Sequence, residues 1–121
     1  MQYTRLYSGD HGESHFEDIE SDLKLAEYTA APPLYLSSFT PATQFGFMNA
    51  PAGWSSEWHP TSARNIFFVL TGEWEVIASD GESRRFGPGS ILLVEDTTGK
   101  GHSSRVLSET DSLAAMVQLG E

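Results

Sequence analysis

The sequence contains four histidines and no cysteine, which excludes thiol chemistry, disulfides and cysteine-based zinc sites. Imidazole is then the side chain best suited to moving a proton near neutral pH. His59 ends the stretch Gly53-Trp54-Ser55-Ser56-Glu57-Trp58-His59, just ahead of an apolar run at residues 66–70. Thr61 and Asn65 lie at even offsets from His59. On one extended strand the three would share a face with Phe67 and Val69, which makes that face the interior. His102 follows the apolar run at residues 91–94 through Glu95-Asp96-Thr97-Thr98-Gly99-Lys100-Gly101, a polar, glycine-bearing loop able to return it to a neighbouring strand. Two imidazoles in such an interior serve as general acid and base, as hydrogen-bonding groups, or as metal ligands. Asn65 is expected to orient a ligand beside them, and Tyr35, Phe47, Trp54, Thr61 and Phe67 to line the cavity. Arg64 is a bidentate partner for a carboxylate, but its parity is opposite to that of Asn65 and points it outward unless the backbone bulges. Glu95 and Asp96, beside the loop, are a further base or ligand.

Each of these residues also has a plainer reading. A histidine at a strand end is commonly a satisfied structural residue, Thr61 a β-former and Asn65 an internal hydrogen-bonding group. Trp54, Trp58 and Trp74 stack on planar ligands but more often fill a core or an interface. Phe45, Phe47 and Phe67 read as core or cavity lining, Arg84 and Arg85 as an ion-paired edge, and His11 and His15 as polar residues of an N-terminal arm. Gly87 and Gly89 are turn residues, because no helix follows them to make a phosphate site.

The elements that position these side chains are β-strands. Short β-prone segments at residues 34–36, 44–48, 66–70, 82–86, 91–94, 103–107 and 113–119 are separated by proline- and glycine-bearing turns. The last of them also has a composition compatible with a short helix. Residues 73–78 alternate polar and apolar, which places one face in solvent and one in a core. Asp80-Gly81 is the strongest hairpin signal in the chain. Residues 9–27 are polar and acidic and read as an arm or loop, followed by the extended turn Ala30-Ala31-Pro32-Pro33. Closure into a jelly-roll barrel is expected, because an open sheet of this size would leave its edges free. The chain divides into an N-terminal arm or strand over residues 1–33, packed on a barrel over residues 34–121, in one domain.

The formal net charge of −10 disfavours nucleic-acid backbones and anionic lipid as partners. No apolar run approaches the ~20 residues of a membrane helix, and no apolar stretch follows the N-terminus as a signal peptide would require. With the absence of cysteine this fits a cytoplasmic protein.

Residues 53–59, Val69-Leu70-Thr71-Gly72, Phe86-Gly87-Pro88-Gly89-Ser90 and Gly99-Lys100-Gly101-His102 resemble, in order, the two motifs of the cupin superfamily. The segments "EDTTGKGH", "DGESRRFGPGS" and "HGESHFED" also resemble a subgroup of small bacterial cupin-domain proteins. The resemblance implies an all-β, cupin-type jelly-roll barrel with a small-molecule site inside it and a homodimer formed through a sheet edge. It also implies a divalent metal such as iron, manganese, nickel or zinc, held by two histidines, a carboxylate and a third histidine. His59 and His102 match the first and third histidines, whereas Thr61 and Asn65 stand where the second histidine and the glutamate would be. Weak metal binding is therefore expected unless Glu13, His15, Glu57 or Glu95 supplies a substitute ligand. The implied function is an enzyme moving protons on a small molecule (an isomerase, cyclase or lyase), with a non-catalytic binding or sensor module and a metal-dependent dioxygenase as alternatives.

Overall fold

The structure, a computed structural model, describes residues 1–120. Eleven strands are found among them: β1 (Gln2–Ser8), β2 (Ser14–Glu20), β3 (Lys24–Ala26), β4 (Leu34–Leu36), β5 (Ala42–Ala50), β6 (Asn65–Val69), β7 (Trp74–Ala78), β8 (Ser83–Phe86), β9 (Ile91–Glu95), β10 (His102–Val106) and β11 (Ser112–Leu119). The helical content of the described residues is a single 3-10 turn at Asp10–Gly12. A six-stranded sheet runs β2-β1-β9-β6-β11-β5, a three-stranded sheet runs β10-β7-β8, and β3 and β4 pair only with each other. Strands β1 and β9 are parallel; the other pairings are antiparallel.

The core lies between the two larger sheets. Leu6, Val69, Leu92 and Val94 enter it from the large sheet, and Trp74, Val76, Ala78, Phe86 and Val106 from the small one. Strand β7 shows the expected alternation, with Trp74, Val76 and Ala78 buried between half-exposed Glu75 and Ile77. The Asp80-Gly81 hairpin joins β7 to β8, with Gly81 in the left-handed region (φ 97°) and its N–H donating to the Ala78 carbonyl at 3.0 Å.

Two expectations need correction. Residues 9–27 are not simply an arm or loop: all of β2, paired along its whole length with β1, and β3 fall there. The acidic composition arises because β2 is an outermost strand whose Glu17, Asp18 and Glu20 face solvent while Ser14 and Phe16 are buried. Residues 113–119 form strand β11, as their place in the strand pattern indicated, and pair across to β5 and β6. Finally, His59 and Asn65 do not share a strand. Asn65 opens β6, whereas His59 makes an isolated two-residue bridge to His102.

That bridge closes the functional end of the barrel. His59 and His102 exchange two backbone hydrogen bonds, each 3.0 Å. Gly101 (φ 72°) lies directly against the His59 carbonyl, and a methyl group there would overlap it. The β1–turn–β2 segment holds the same loop from the other side. The Lys100 N–H donates to the Gly12 carbonyl at 2.9 Å, the Ser8 hydroxyl to the Thr98 carbonyl at 2.8 Å, and the buried Ser14 hydroxyl to the Gly101 carbonyl at 2.7 Å.

On the outer face, Glu95 joins three strands. It accepts from Arg5 Nε at 2.6 Å and from Arg64 Nε at 2.5 Å, and Arg5 also reaches Glu17 at 2.8 Å. Burial alone would push the Glu95 carboxyl up, but the hydrogen bonds from Arg5 and Arg64 outweigh it and hold the group below its ordinary value of 4.5.

Two outcomes follow. Gly101→Ala should cost roughly 2–4 kcal/mol, from left-handed strain and overlap with the His59 carbonyl; a urea midpoint unchanged from wild type would mean that the loop yields freely. Glu95→Gln should cost roughly 1–3 kcal/mol at neutral pH by leaving two arginines without their carboxylate. Because the folded carboxyl is depressed, this advantage of the wild type is fully present above pH 4.5 and is lost as pH falls through the lower folded value. Urea titrations of both proteins over that range should converge at the acid end, and a gap independent of pH would refute the ion-pair account.

Candidate functional site

Inside the barrel, the two larger sheets leave a cavity of about 130 Å³. Its apolar walls are Met48 from β5, Phe67 and Val69 from β6, Trp74 and Val76 from β7, Phe86 from β8, Leu92 and Val94 from β9, and Ala114 from β11. Its polar residues are His59, Thr61, His102 and Ser104. These gather near the bridge, because His102 and Ser104 sit two apart on β10 and so share a face, and His59 lies across from His102.

The two imidazoles have ring centroids 4.9 Å apart at an interplanar angle of 50°. Each has one nitrogen already committed. His59 Nδ1 lies 2.8 Å from the Glu57 carbonyl oxygen, and a carbonyl can only accept, so Nδ1 donates. His102 Nδ1 lies 2.6 Å from Asp96 Oδ2. Asp96 is 0% exposed, and its Oδ1 has no hydrogen-bond partner among the described residues, so its side-chain bonding is directed at His102. The Nε2 atom of each ring is therefore the one left for a ligand. A buried carboxylate on the far nitrogen fixes the His102 ring and its tautomer.

Of the residues singled out in the sequence, His59, His102, Thr61, Phe67, Val69 and Trp74 meet in this cavity. The others do not line it. Asn65 is buried, but its amide donates to the Ala63 carbonyl at 2.9 Å and lies 3.5 Å from Thr61 Oγ1, so it braces the turn before β6. Arg64 points outward, as its parity indicated, and is held by Glu95 and by the Gly120 carbonyl. Tyr35 lies exposed on the β3–β4 hairpin. Phe47 lies on the outward face of β5, and Phe45 with it. Trp54 packs edge-on against Trp74, with ring centroids 5.5 Å apart, and stays partly exposed. Reasoning from sequence missed Ser104 and Met48. Each lay two residues from a residue now placed in the interior, His102 and Ala50, so strand parity was the available signal.

The usual cupin metal set is not assembled here. Thr61 Oγ1 is spent on the Ala63 carbonyl at 2.8 Å, and the Asn65 amide on the same turn. Three of the four possible substitutes are paired elsewhere: Glu95 binds Arg5 and Arg64, Glu13 binds Lys100 and Ser79, and His15 binds Asp80. Glu57 is exposed, and it is its backbone carbonyl that meets His59. Among the described residues no group of three or more His, Cys, Asp or Glu side chains is arranged around a common point for a metal ion. The residues present do not fit the four-ligand centre.

No family model matches the chain. No curated protein matches it in sequence. Solved structures do match in fold. A protein of unknown function from Rhizobium leguminosarum is 23% identical over 64% of this chain and 69% of that one, with a TM-score of 0.53. A cupin superfamily protein from Desulfitobacterium hafniense is 15% identical over 70% and 73%, with a TM-score of 0.52. The cupin domain of Schizosaccharomyces pombe Cnp3 is 16% identical over 100% of this chain and 83% of that domain, with a TM-score of 0.54. The two-sheet barrel, its motif order and these likenesses agree on one architecture: the chain has the fold of a small cupin-type jelly roll.

Proposed function

We propose that the barrel cavity binds a small, mostly apolar organic molecule and moves a proton on it, in an isomerase-, cyclase- or lyase-type reaction. The observation that carries this reading is the Asp96–His102 pair at the edge of an apolar cavity. A cavity of roughly 150 Å³ holds a benzene ring, so about 130 Å³ limits the ligand to one small ring, its polar group included. That polar group would face His59 and His102, and the remainder would lie against Phe67, Val76 and Leu92. His102 Nε2 accepts the ligand proton. The Asp96 carboxylate stabilises the imidazolium that results, as in other carboxylate–histidine pairs. The protonated His102 then returns the proton to another atom of the ligand, while His59, its Nδ1–H held by the Glu57 carbonyl, accepts a hydrogen bond at Nε2 from a hydroxyl or N–H of the ligand and orients it.

A second reading, a non-catalytic binding module, has its own support. Nine of the thirteen lining residues are apolar and Thr61 is already bonded internally, which leaves few polar contacts for a reacting ligand. One experiment separates the two. A panel of ring-sized cyclic carbonyl and aromatic compounds is screened in D2O by NMR. Ring-proton shifts at His59 and His102 report binding, and solvent deuterium at an acidic carbon of the bound compound reports proton transfer. The proton-transfer reading expects deuterium incorporation that falls about 10²–10⁴-fold in His102→Gln. It expects a fall in Asp96→Asn as well, with binding retained in both. Binding with no incorporation would leave only the binding module, and no binding across the panel would sink both readings.

A further inference from the structure

The hydrogen-bonding groups on the cavity wall divide into those already spent and those left for a ligand. Two donors are spent. The Thr61 hydroxyl donates to the Ala63 carbonyl at 2.8 Å, and Trp74 Nε1–H to the buried Ser112 hydroxyl at 2.5 Å. Both imidazoles donate from Nδ1, to the Glu57 carbonyl and to Asp96, so each neutral ring keeps the lone pair of its Nε2 for a ligand. Ser104 differs from these. Its N–H donates to Ser56 Oγ at 3.0 Å, and its carbonyl accepts from the Ser56 N–H at 2.8 Å. Its hydroxyl has one hydrogen-bond neighbour among the described residues, the Ser56 hydroxyl, at a long 3.4 Å. Ser104 Oγ therefore has a proton to offer an acceptor on the ligand. Formal charge is missing from the wall. Among the described residues, none that lines the cavity is Asp, Glu, Lys or Arg. Asp96 lies behind His102 and not on the wall. Lys24 is exposed on β3, and every other lysine and arginine pairs with a carboxylate elsewhere.

We propose that the cavity selects an uncharged ring carrying an N–H or O–H beside a carbonyl group, with Ser104 as the residue that reads the carbonyl. This rests on the reading of the cavity as a ligand site and names the class of ligand. A ligand offering only acceptors sets its lone pairs against those of His59 and His102. A charged ligand leaves water for a wall without an opposite charge, and an unpaired charge costs more to bury than one neutral hydrogen bond returns. A carboxylate meets both objections. An ammonium group supplies donors but finds no countercharge on the wall. A neutral lactam or cyclic hydroxyketone satisfies every group left over. Its N–H or O–H donates to His59 Nε2, its carbonyl accepts from Ser104 Oγ, and His102 Nε2 stays available for the proton that moves. The strand positions agree with this. His102 and Ser104 share one face of β10, roughly 6–7 Å apart along it, and His59 lies across from His102. The donor end of the ring then faces the imidazoles, and the carbonyl lies toward the next inward residue of the same strand.

Four small rings of similar size test this at about pH 8, where an ordinary imidazole is neutral. 2-Pyrrolidinone has the N–H and the carbonyl, cyclopentanone the carbonyl alone, cyclopropanecarboxylate is an anion and cyclopentylammonium a cation. NMR titration of the full chain, followed at the His59 and His102 ring protons, gives a Kd for each. On the wild type, 2-pyrrolidinone should bind about five- to tenfold more tightly than cyclopentanone, and at least about tenfold more tightly than either ion. Ser104→Ala should weaken both carbonyl compounds about five- to tenfold and leave their order unchanged. Equal affinity for the two neutral rings, or an ion bound as tightly as 2-pyrrolidinone, overturns the ligand class and leaves the cavity as a ligand site. Unchanged affinities in a folded Ser104→Ala protein overturn the role of Ser104. Binding of none of the four removes the ligand site itself, and this proposal with it.

Discussion

Gly101 lies so close to the His59 carbonyl that no side chain fits between them, and the site depends on that contact. The close approach allows the two backbones to exchange hydrogen bonds at His59 and His102. The paired backbones bring the rings to a centroid separation of 4.9 Å. The contact is costly to build, because Gly99 and Gly101 are both held at positive φ and the loop between Glu95 and His102 has little regular structure. Packing from the first strand pair offsets that cost. Gly12, Ser8 and Ser14 each bond the loop, so the acidic N-terminal segment is part of the apparatus that sets the position of His102.

Neighbouring carboxylates divide the labour by strand parity. Glu95 and Asp96 are adjacent, and adjacent residues at a strand end point to opposite sides. Glu95 goes outward to Arg5 and Arg64, where it ties β1, β9 and β6 together. Asp96 goes inward, fully buried, to His102. A like division accounts for Thr61 and Asn65, which stand where the resemblance would put two metal ligands. Thr61 and Asn65 both bond the Ala63 carbonyl and so fix the turn between His59 and β6. Side chains that would otherwise ligate a metal here hold backbone, and the electrostatic content of the site shifts to the carboxylate behind His102.

Much of this was legible in the sequence, for physical reasons that particular residues show. The strands and hairpins followed from short β-prone runs and from glycines at positions that need positive φ, Gly81 among them. His59, Thr61, Phe67 and His102 were placed inside by parity and by the loop ahead of His102, and all four line the cavity. Parity failed where the chain is not one strand. Between His59 and Asn65 the backbone turns, and Asn65 arrives buried but away from the cavity. Aromatic residues were the least legible. Phe67 faces in while Phe45 and Phe47 face out, and composition gives no sign to tell them apart until the register with β11 is known.

The pattern of apolar runs nevertheless held more than the barrel interior. Residues 66–69 and 91–94 are apolar at every position, whereas residues 74–78 of β7 alternate. Alternation marks a strand buried on one side, and a continuous apolar run marks one buried on both. Within one chain, β6 and β9 are covered on the cavity side by the small sheet. Their outward residues Ile66, Phe68, Ile91 and Leu93 remain only partly covered, and β5 beyond them is more exposed still. The continuous runs thus carry two requirements in one segment. The inner parity builds the cavity, and the outer parity leaves an apolar face that the described residues cover only in part.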